Sequence, residues 1–158
     1  MGFKKKTYRS PKQLLADLSF PIRKRKQLRE VKERGLLSPA FQERLMLAVT
    51  SVEGCRYCSY FHSRLALKGG VKQEEISKLL SGDFEDCPKD EVIAILYAQH
   101  WAESNAKPDP EAIQKLEETY GPEKAAAINI MLRMIRLGNL MGNTWDYFLY
   151  LISFGKWR

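Results

Sequence analysis

The sequence predicts an all-α protein, a compact multi-helix domain of roughly seven to nine helices. Short segments carry apolar residues on one helical face, and Gly, Pro, Ser and Asp separate these segments. No segment alternates apolar and polar residues as a half-buried strand does. The chain has 158 residues, of which 44% are hydrophobic. This is enough for one domain with a proper core.

Start and stop signals place the individual helices. Ser38-Pro39 is a helix start, because a hydroxyl N-cap precedes proline at the first helical position. Gly54 breaks that helix, Cys55 opens the next one, and Gly69 with Gly70 closes it. From residue 123 to 137 the pattern is apolar nearly all round, which predicts burial in the domain centre or under another subunit. The other predicted elements are helices at 11–18, 22–34, 73–80, 90–105 and 111–120 and an aromatic segment at 145–154.

The net charge of +7 is unevenly distributed. Residues 1–36 hold twelve Lys and Arg against three acidic residues, and the rest of the chain holds fourteen against sixteen. We therefore expect a basic helical N-terminal extension at 1–36 and a helical domain at 37–158. The basic cluster at 23–26 fits either a solvated helix face or a surface for nucleic acid or an acidic partner, and the solvated face is favoured.

No stretch is long and apolar enough to span a bilayer. The first six residues are basic, but no apolar run follows them, so they do not form a secretory signal. A cytoplasmic location is expected. Thiols are normally reduced there, and a close cysteine pair is then more often catalytic or metal-binding than a structural disulfide.

Two cysteines and a histidine lie within eight residues, Cys55, Cys58 and His62, and Glu43 precedes Cys55 by twelve residues. On a helix the first three form one stripe, with both thiols at the helix start and the imidazole one turn later. The positive end of a helix favours the thiolate, which is the reactive form. The imidazole can accept or return the thiol proton. Glu43 lies on an apolar face of the preceding helix, where a desolvated carboxylate is suited to shuttle protons.

This pattern of glutamate, Cys-x-x-Cys and histidine, over roughly residues 40–76, resembles the active site of the alkylhydroperoxidase D-like branch of the carboxymuconolactone decarboxylase family. The resemblance implies a cysteine-dependent peroxidase, or thiol-disulfide oxidoreductase, with an alkylhydroperoxidase D-like fold. Cys58 would attack the peroxide and Cys55, nearer to solvent, would resolve the sulfenic acid as a disulfide. His62 and Glu43 would form the proton relay. Where the best-known members carry a histidine before the second cysteine, this chain has Tyr57.

The resemblance also implies partners. These are a peroxide substrate, a thiol-bearing protein or small dithiol as reductant, and further copies of the chain in a trimer or a trimer-based hexamer. No organic cofactor is implied, and the decarboxylase branch generally lacks the cysteine pair.

Two other interpretations use the same residues. Cys55, Cys58 and His62 have spacing compatible with zinc, but a structural site needs a fourth ligand, for which Cys87 or His100 would have to serve. Alternatively, the basic N-terminus marks a nucleic-acid or acidic-partner binding protein with vestigial redox residues. No known nucleic-acid motif accompanies that basic segment.

Overall fold

The computed structural model describes residues 3–157, and within that range every regular element is a helix. The all-α prediction is therefore confirmed. The helices are α1 (Pro11–Arg23), α2 (Arg25–Glu33), α3 (Pro39–Glu53), α4 (Arg56–Lys68), α5 (Gln73–Ser81), α6 (Val92–Glu103) and α7 (Pro110–Ile152).

Helix α3 lies at the centre and packs against α4, α5, α6 and α7. It takes this place because its apolar residues cover more than one face: Leu45, Leu47 and Val49 are fully buried. The four other helices surround α3, and the residues of α3 and α4 that face each other lie in the interior of the domain. Any chemistry carried by this face of α3 is thus held on a rigid support.

The predicted boundaries of α3 and the start of α4 are confirmed. The Ser38 hydroxyl accepts a hydrogen bond from the Phe41 amide at 3.1 Å, and proline follows the cap. Gly54 ends α3 with φ of 71°, a left-handed conformation that glycine adopts at little cost. The chain then turns at once into α4, for which Cys55 is the N-cap residue.

The prediction for the first two helices was wrong in detail. Helix α1 continues through Pro21 to Arg23 instead of ending at residue 18, and α2 is correspondingly shorter. The buried side chain of Phe20 explains the continuation, since Arg133 of α7 stacks 5.7 Å from its ring. Both helices pack against α7. The division at residue 36 stays a prediction.

The predicted C-terminal end was also wrong. Instead of ending near residue 137, α7 continues through Gly138 and Gly142 to Ile152. Its single interruption is at Gly121, where φ is 76° and ψ is 161°. The two later glycines lie within the helix and face the two cysteines at the start of α4. One face of the apolar stretch 123–137 is buried within the monomer, through Ala125, Ala127, Ile128, Leu132 and Ile135. Other apolar residues of the stretch are only partly buried: Ile130, Met131, Met134 and Leu137.

Among the described helices none is both long and apolar enough to cross a membrane.

Candidate functional site

The fold brings the four predicted site residues to the interface of α3 and α4. Cys55 caps α4, Cys58 is in its first turn and His62 follows one turn later. Glu43 reaches them from the neighbouring α3. Only Gly54 and Cys55 lie between α3 and α4, so the two helices pack directly against each other and hold the Glu43 carboxylate beside the His62 imidazole.

Glu43 and His62 form a direct contact. The Nδ1 atom of His62 lies 2.7 Å from Oε2 of Glu43, and the two side chains are only 15% and 14% exposed. A carboxylate oxygen accepts in this contact, so Nδ1 carries a proton, and in the neutral form of the ring Nε2 is then the acceptor. This is the arrangement expected of a base oriented by a carboxylate. The sequence predicted both residues, and the contact between them agrees with that pairing.

The two thiols interact with each other, and their ionisation is unequal. The pKa of Cys55 is lowered to about 6, chiefly by a hydrogen bond from the Cys58 thiol and against the opposing effect of burial. Hydrogen bonds from the backbone N–H groups of Cys58 and Tyr57, and the charge of Lys5, contribute to the same lowering. The same hydrogen bond, together with burial and nearby negative charge, raises the pKa of Cys58. One proton is thus shared by two sulfurs, and the resting negative charge is on Cys55.

The expected order of depth is reversed. Cys55 is fully buried, whereas Cys58 is partly exposed. The resemblance implied that Cys55, one helical turn before Cys58, is nearer to solvent. Helix α7 crosses this entrance and covers Cys55.

Two glycines of α7 make room for the sulfur atoms. A methyl group added at Gly142 would lie 2.5 Å from Sγ of Cys55 and 3.1 Å from the Tyr57 ring. One turn earlier, a methyl group at Gly138 would lie 3.5 Å from Sγ of Cys58, an ordinary contact. Gly142 is therefore required for the close approach of α7, while Gly138 tolerates a small side chain. The sequence analysis assigned no role to Gly142.

A second carboxylate, Glu53, was missed. It lies two residues before Cys55, its side chain is fully buried, and Oε1 pairs with Arg136 of α7 at 3.1 Å. Oε2 has no hydrogen-bond partner among residues 3–157. Burial raises the pKa of Glu53 to about 7, although Arg136 and Lys6 oppose the increase. Its charge raises the pKa of Cys58, and the charge of the Cys55 thiolate in turn raises the pKa of Glu53. Its position as the last residue of α3 did not indicate a site residue, since a glutamate at the end of a helix is usually solvated.

Tyr57, at the position where a histidine was expected, is directed away from the relay. Its hydroxyl donates to Oδ1 of Asp146 at 2.8 Å. Asp146 also accepts from Arg56 at 2.6 Å and from Lys5 at 3.0 Å. Burial alone would raise the pKa of Asp146, but these hydrogen bonds outweigh it and bring the pKa to about 2. The cluster ties the first turn of α4 to α7 and holds the cysteine pair in place.

The residues proposed as further zinc ligands lie in other surroundings. His100 contacts Asp109 at 2.7 Å. Cys87 is buried, and burial raises its pKa to about 11. Within residues 3–157, no group of three or more His, Cys, Asp or Glu residues is arranged to hold a metal ion.

The comparisons with known proteins give one match. The family model of the carboxymuconolactone decarboxylase family matches residues 24–103, which is half of the chain. The matched segment runs from α2 to α6 and contains all four predicted site residues. No curated protein and no solved structure matches the chain.

Proposed function

Since the chain belongs to the carboxymuconolactone decarboxylase family, which includes alkylhydroperoxidase D-like proteins, we propose that it is a thiol-dependent peroxidase that reduces hydroperoxides through Cys55 and Cys58. The observation that carries the proposal is the hydrogen-bonded thiol pair at the start of α4, with a pKa of about 6 on Cys55. At neutral pH such a pair holds a thiolate without any external base. Thiolate is the form that attacks peroxides and disulfides.

The nucleophile in this proposal is Cys58. Ionisation favours Cys55, but accessibility favours Cys58, and a peroxide must reach the sulfur that it oxidises. The hydrogen bond between the two thiols lets the accessible Cys58 become the thiolate, although Cys55 is the thiol that ionises more readily. When Cys58 attacks, its proton passes to Cys55, so that Cys55 serves first as the base and later as the resolving thiol.

The atoms and electrons balance in two steps. In the first, the Cys58 sulfur attacks the O–O bond of the hydroperoxide, forms a sulfenic acid and releases an alkoxide, which takes a proton to become the alcohol. In the second, the Cys55 sulfur attacks the sulfenic sulfur, a disulfide forms and hydroxide leaves as water after protonation. Starting from one thiolate and one thiol, the two sulfurs supply two electrons and one proton, which reaches the leaving hydroxide, and solvent supplies the second proton, which the alkoxide takes. A dithiol, either a protein or a small molecule, then reduces the disulfide by exchange.

His62 and Glu43 supply proton transfer in this scheme. With Nδ1 bonded to Glu43, Nε2 of His62 is the atom free to accept or return a proton, one turn from Cys58 on the same helix face. It would take the proton from Cys55 before the disulfide closes and return it to the leaving oxygen. Glu43 orients the ring and stabilises its charged form.

The proposal includes a homo-oligomer, as a trimer or a hexamer, in the cytoplasm. Support for assembly comes from exposed apolar side chains near the site. An apolar depression of about 600 Å³ lies between α1, α4 and α7. Around it, Leu18 is 39%, Met141 45%, Trp145 56% and Phe148 49% exposed. A second copy that covers this surface would bury a contiguous apolar patch beside Tyr57.

The proposal is tested by comparing single-cysteine variants. Cys58→Ser should abolish peroxide consumption with a dithiol donor. Cys55→Ser should allow one oxidation and leave a sulfenic acid on Cys58 that a dimedone probe traps, while Cys87→Ser should retain activity. If the sulfenic acid is trapped on Cys55 of the Cys58→Ser protein instead, the roles are reversed. Absence of peroxide turnover in the parent protein with several donors would contradict the peroxidase proposal.

A further inference from the structure

A basic pocket lies close to the thiol site but outside it. The chain before α1 and the middle of α7 enclose a depression of about 490 Å³. Five cationic side chains line it: Lys4, Lys5, Lys6, Arg9 and Arg136. Among the described residues no Asp or Glu lines the pocket. Five positive charges around one concave surface create a potential that attracts anions.

The protein neutralises this charge only in part. Lys5 pairs with Asp146 at 3.0 Å and Arg136 pairs with Glu53 at 3.1 Å. The second pairing is weakened, because burial raises the pKa of Glu53 to about 7. The basic excess of the pocket therefore remains at physiological pH.

Lys6 is the clearest sign of this excess. Its ammonium group donates to the carbonyl of Ala102 at 2.6 Å. Its hydrogen-bond partner is thus an uncharged carbonyl, and within residues 3–157 no carboxylate forms an ion pair with it. Burial lowers the pKa of Lys6, and repulsion from Arg136 lowers it further, although Glu53 and Glu103 oppose these effects. Two cations are thus held near each other in a half-buried site. A negative group between them would remove this repulsion.

We propose that this pocket binds a small polyanion, that is, a molecule with two or more phosphate or carboxylate groups. Its concave shape and size suit a small molecule, with Lys6 and Arg136 at the base. The exposed side chains Lys4 and Arg9 lie at the rim, where they can close on the ligand. A flat basic surface for a nucleic-acid strand would spread its charge along the molecule instead.

The pocket is linked to the thiol pair through Lys5. Lys5 lines the pocket, its Cγ atom is 4.0 Å from where a methyl group on Gly54 would be, and its charge helps to lower the pKa of Cys55. A bound polyanion would offset that charge and raise the pKa of Cys55. Binding does not depend on peroxide turnover, so the pocket can be tested whether or not the proposed function holds.

The test uses calorimetric titration of the full chain at physiological ionic strength, with inorganic pyrophosphate and citrate as separate probes. Lys6→Gln/Arg9→Gln should weaken binding about tenfold or more, since it removes two charge-assisted contacts. Lys24→Gln/Arg25→Gln is the matched control, because it removes the same charge from exposed positions outside the pocket. It should weaken binding less than about twofold. Stronger binding of pyrophosphate than citrate identifies a phosphate site, and the opposite order identifies a carboxylate site.

Three results would overturn the proposal. The first is no binding of either probe up to about 10 mM, which is weaker than a built site gives. The second is equal weakening in both double variants, which indicates general electrostatic attraction. The third is tight binding of a single-stranded oligonucleotide that the Lys24→Gln/Arg25→Gln control loses and the pocket variant keeps, which would identify a nucleic-acid surface. Thermal unfolding of each variant without ligand verifies that both are folded.

Discussion

Gly142→Ala is the substitution whose effect on the thiol pair follows most directly from the structure. The new methyl carbon would lie 2.5 Å from Sγ of Cys55, whereas a relaxed contact is about 3.5–4.0 Å. The sulfur or α7 must therefore move by about 1 Å. Overpacking of this kind costs about 1–3 kcal/mol. The gain in helix propensity on replacing glycine by alanine offsets up to about 1 kcal/mol. We expect a net loss of about 0–3 kcal/mol in the free energy of unfolding.

The chemical effect should be larger than the effect on stability. A displacement of about 1 Å breaks the hydrogen bond from the Cys58 thiol, which is the largest cause of the lowered pKa of Cys55. The pKa of that thiol should then rise toward the ordinary value of about 8.5. Thiolate absorbance at 240 nm, followed across pH, measures this directly, and urea unfolding measures the free energy.

Gly138→Ala is the matched control. Its methyl group would meet Sγ of Cys58 at 3.5 Å, so nothing has to move. The helix-propensity gain should then appear as an increase of up to about 1 kcal/mol in the free energy of unfolding, with the thiolate titration unchanged. The reasoning is refuted if both alanine variants titrate like the parent protein, because Gly142 would then not constrain the position of Cys55.

Three further predictions concern protons and assembly. Glu53, with its pKa raised to about 7, binds more protons in the folded than in the unfolded state, so stability should fall as pH rises from about 4.5 to 7. Glu53→Gln should remove this pH dependence of the free energy of unfolding, which is worth at most about 3 kcal/mol. Urea unfolding of both proteins at pH 5 and pH 8 measures the change; if the free energy of unfolding changes with pH equally in parent and variant, a buried, titrating Glu53 is excluded. Glu43→Gln should lower peroxide turnover about 10²-fold with little change in unfolding, as steady-state rates and urea curves test; an unchanged rate would remove Glu43 from the relay. Light scattering at micromolar concentration should report an oligomer that Trp145→Glu dissociates, and a monomeric parent protein would contradict the assembly.

The sequence alone was sufficient for the local parts of the site. Cys55, Cys58 and His62 share one helix face because the helical repeat is short, and Ser38-Pro39 and Gly54 fix where α3 begins and ends. Once those boundaries are known, a carboxylate on the α4 side of α3 can contact only a few residues. The contact of Glu43 with His62 therefore follows almost entirely from the positions of two consecutive helices.

Only the tertiary structure showed how α7 packs over the cysteine pair. Gly142 suggests a helix break when only its neighbours in sequence are considered, but it lies inside α7, where the Cys55 sulfur occupies the space that a side chain would need. The same crossing covers Cys55, which reverses the order of depth within the pair, and encloses Glu53 beside Arg136. These contacts join residues more than eighty positions apart. Burial and pKa depend on what lies across such a contact, and no local pattern in the sequence contains that information.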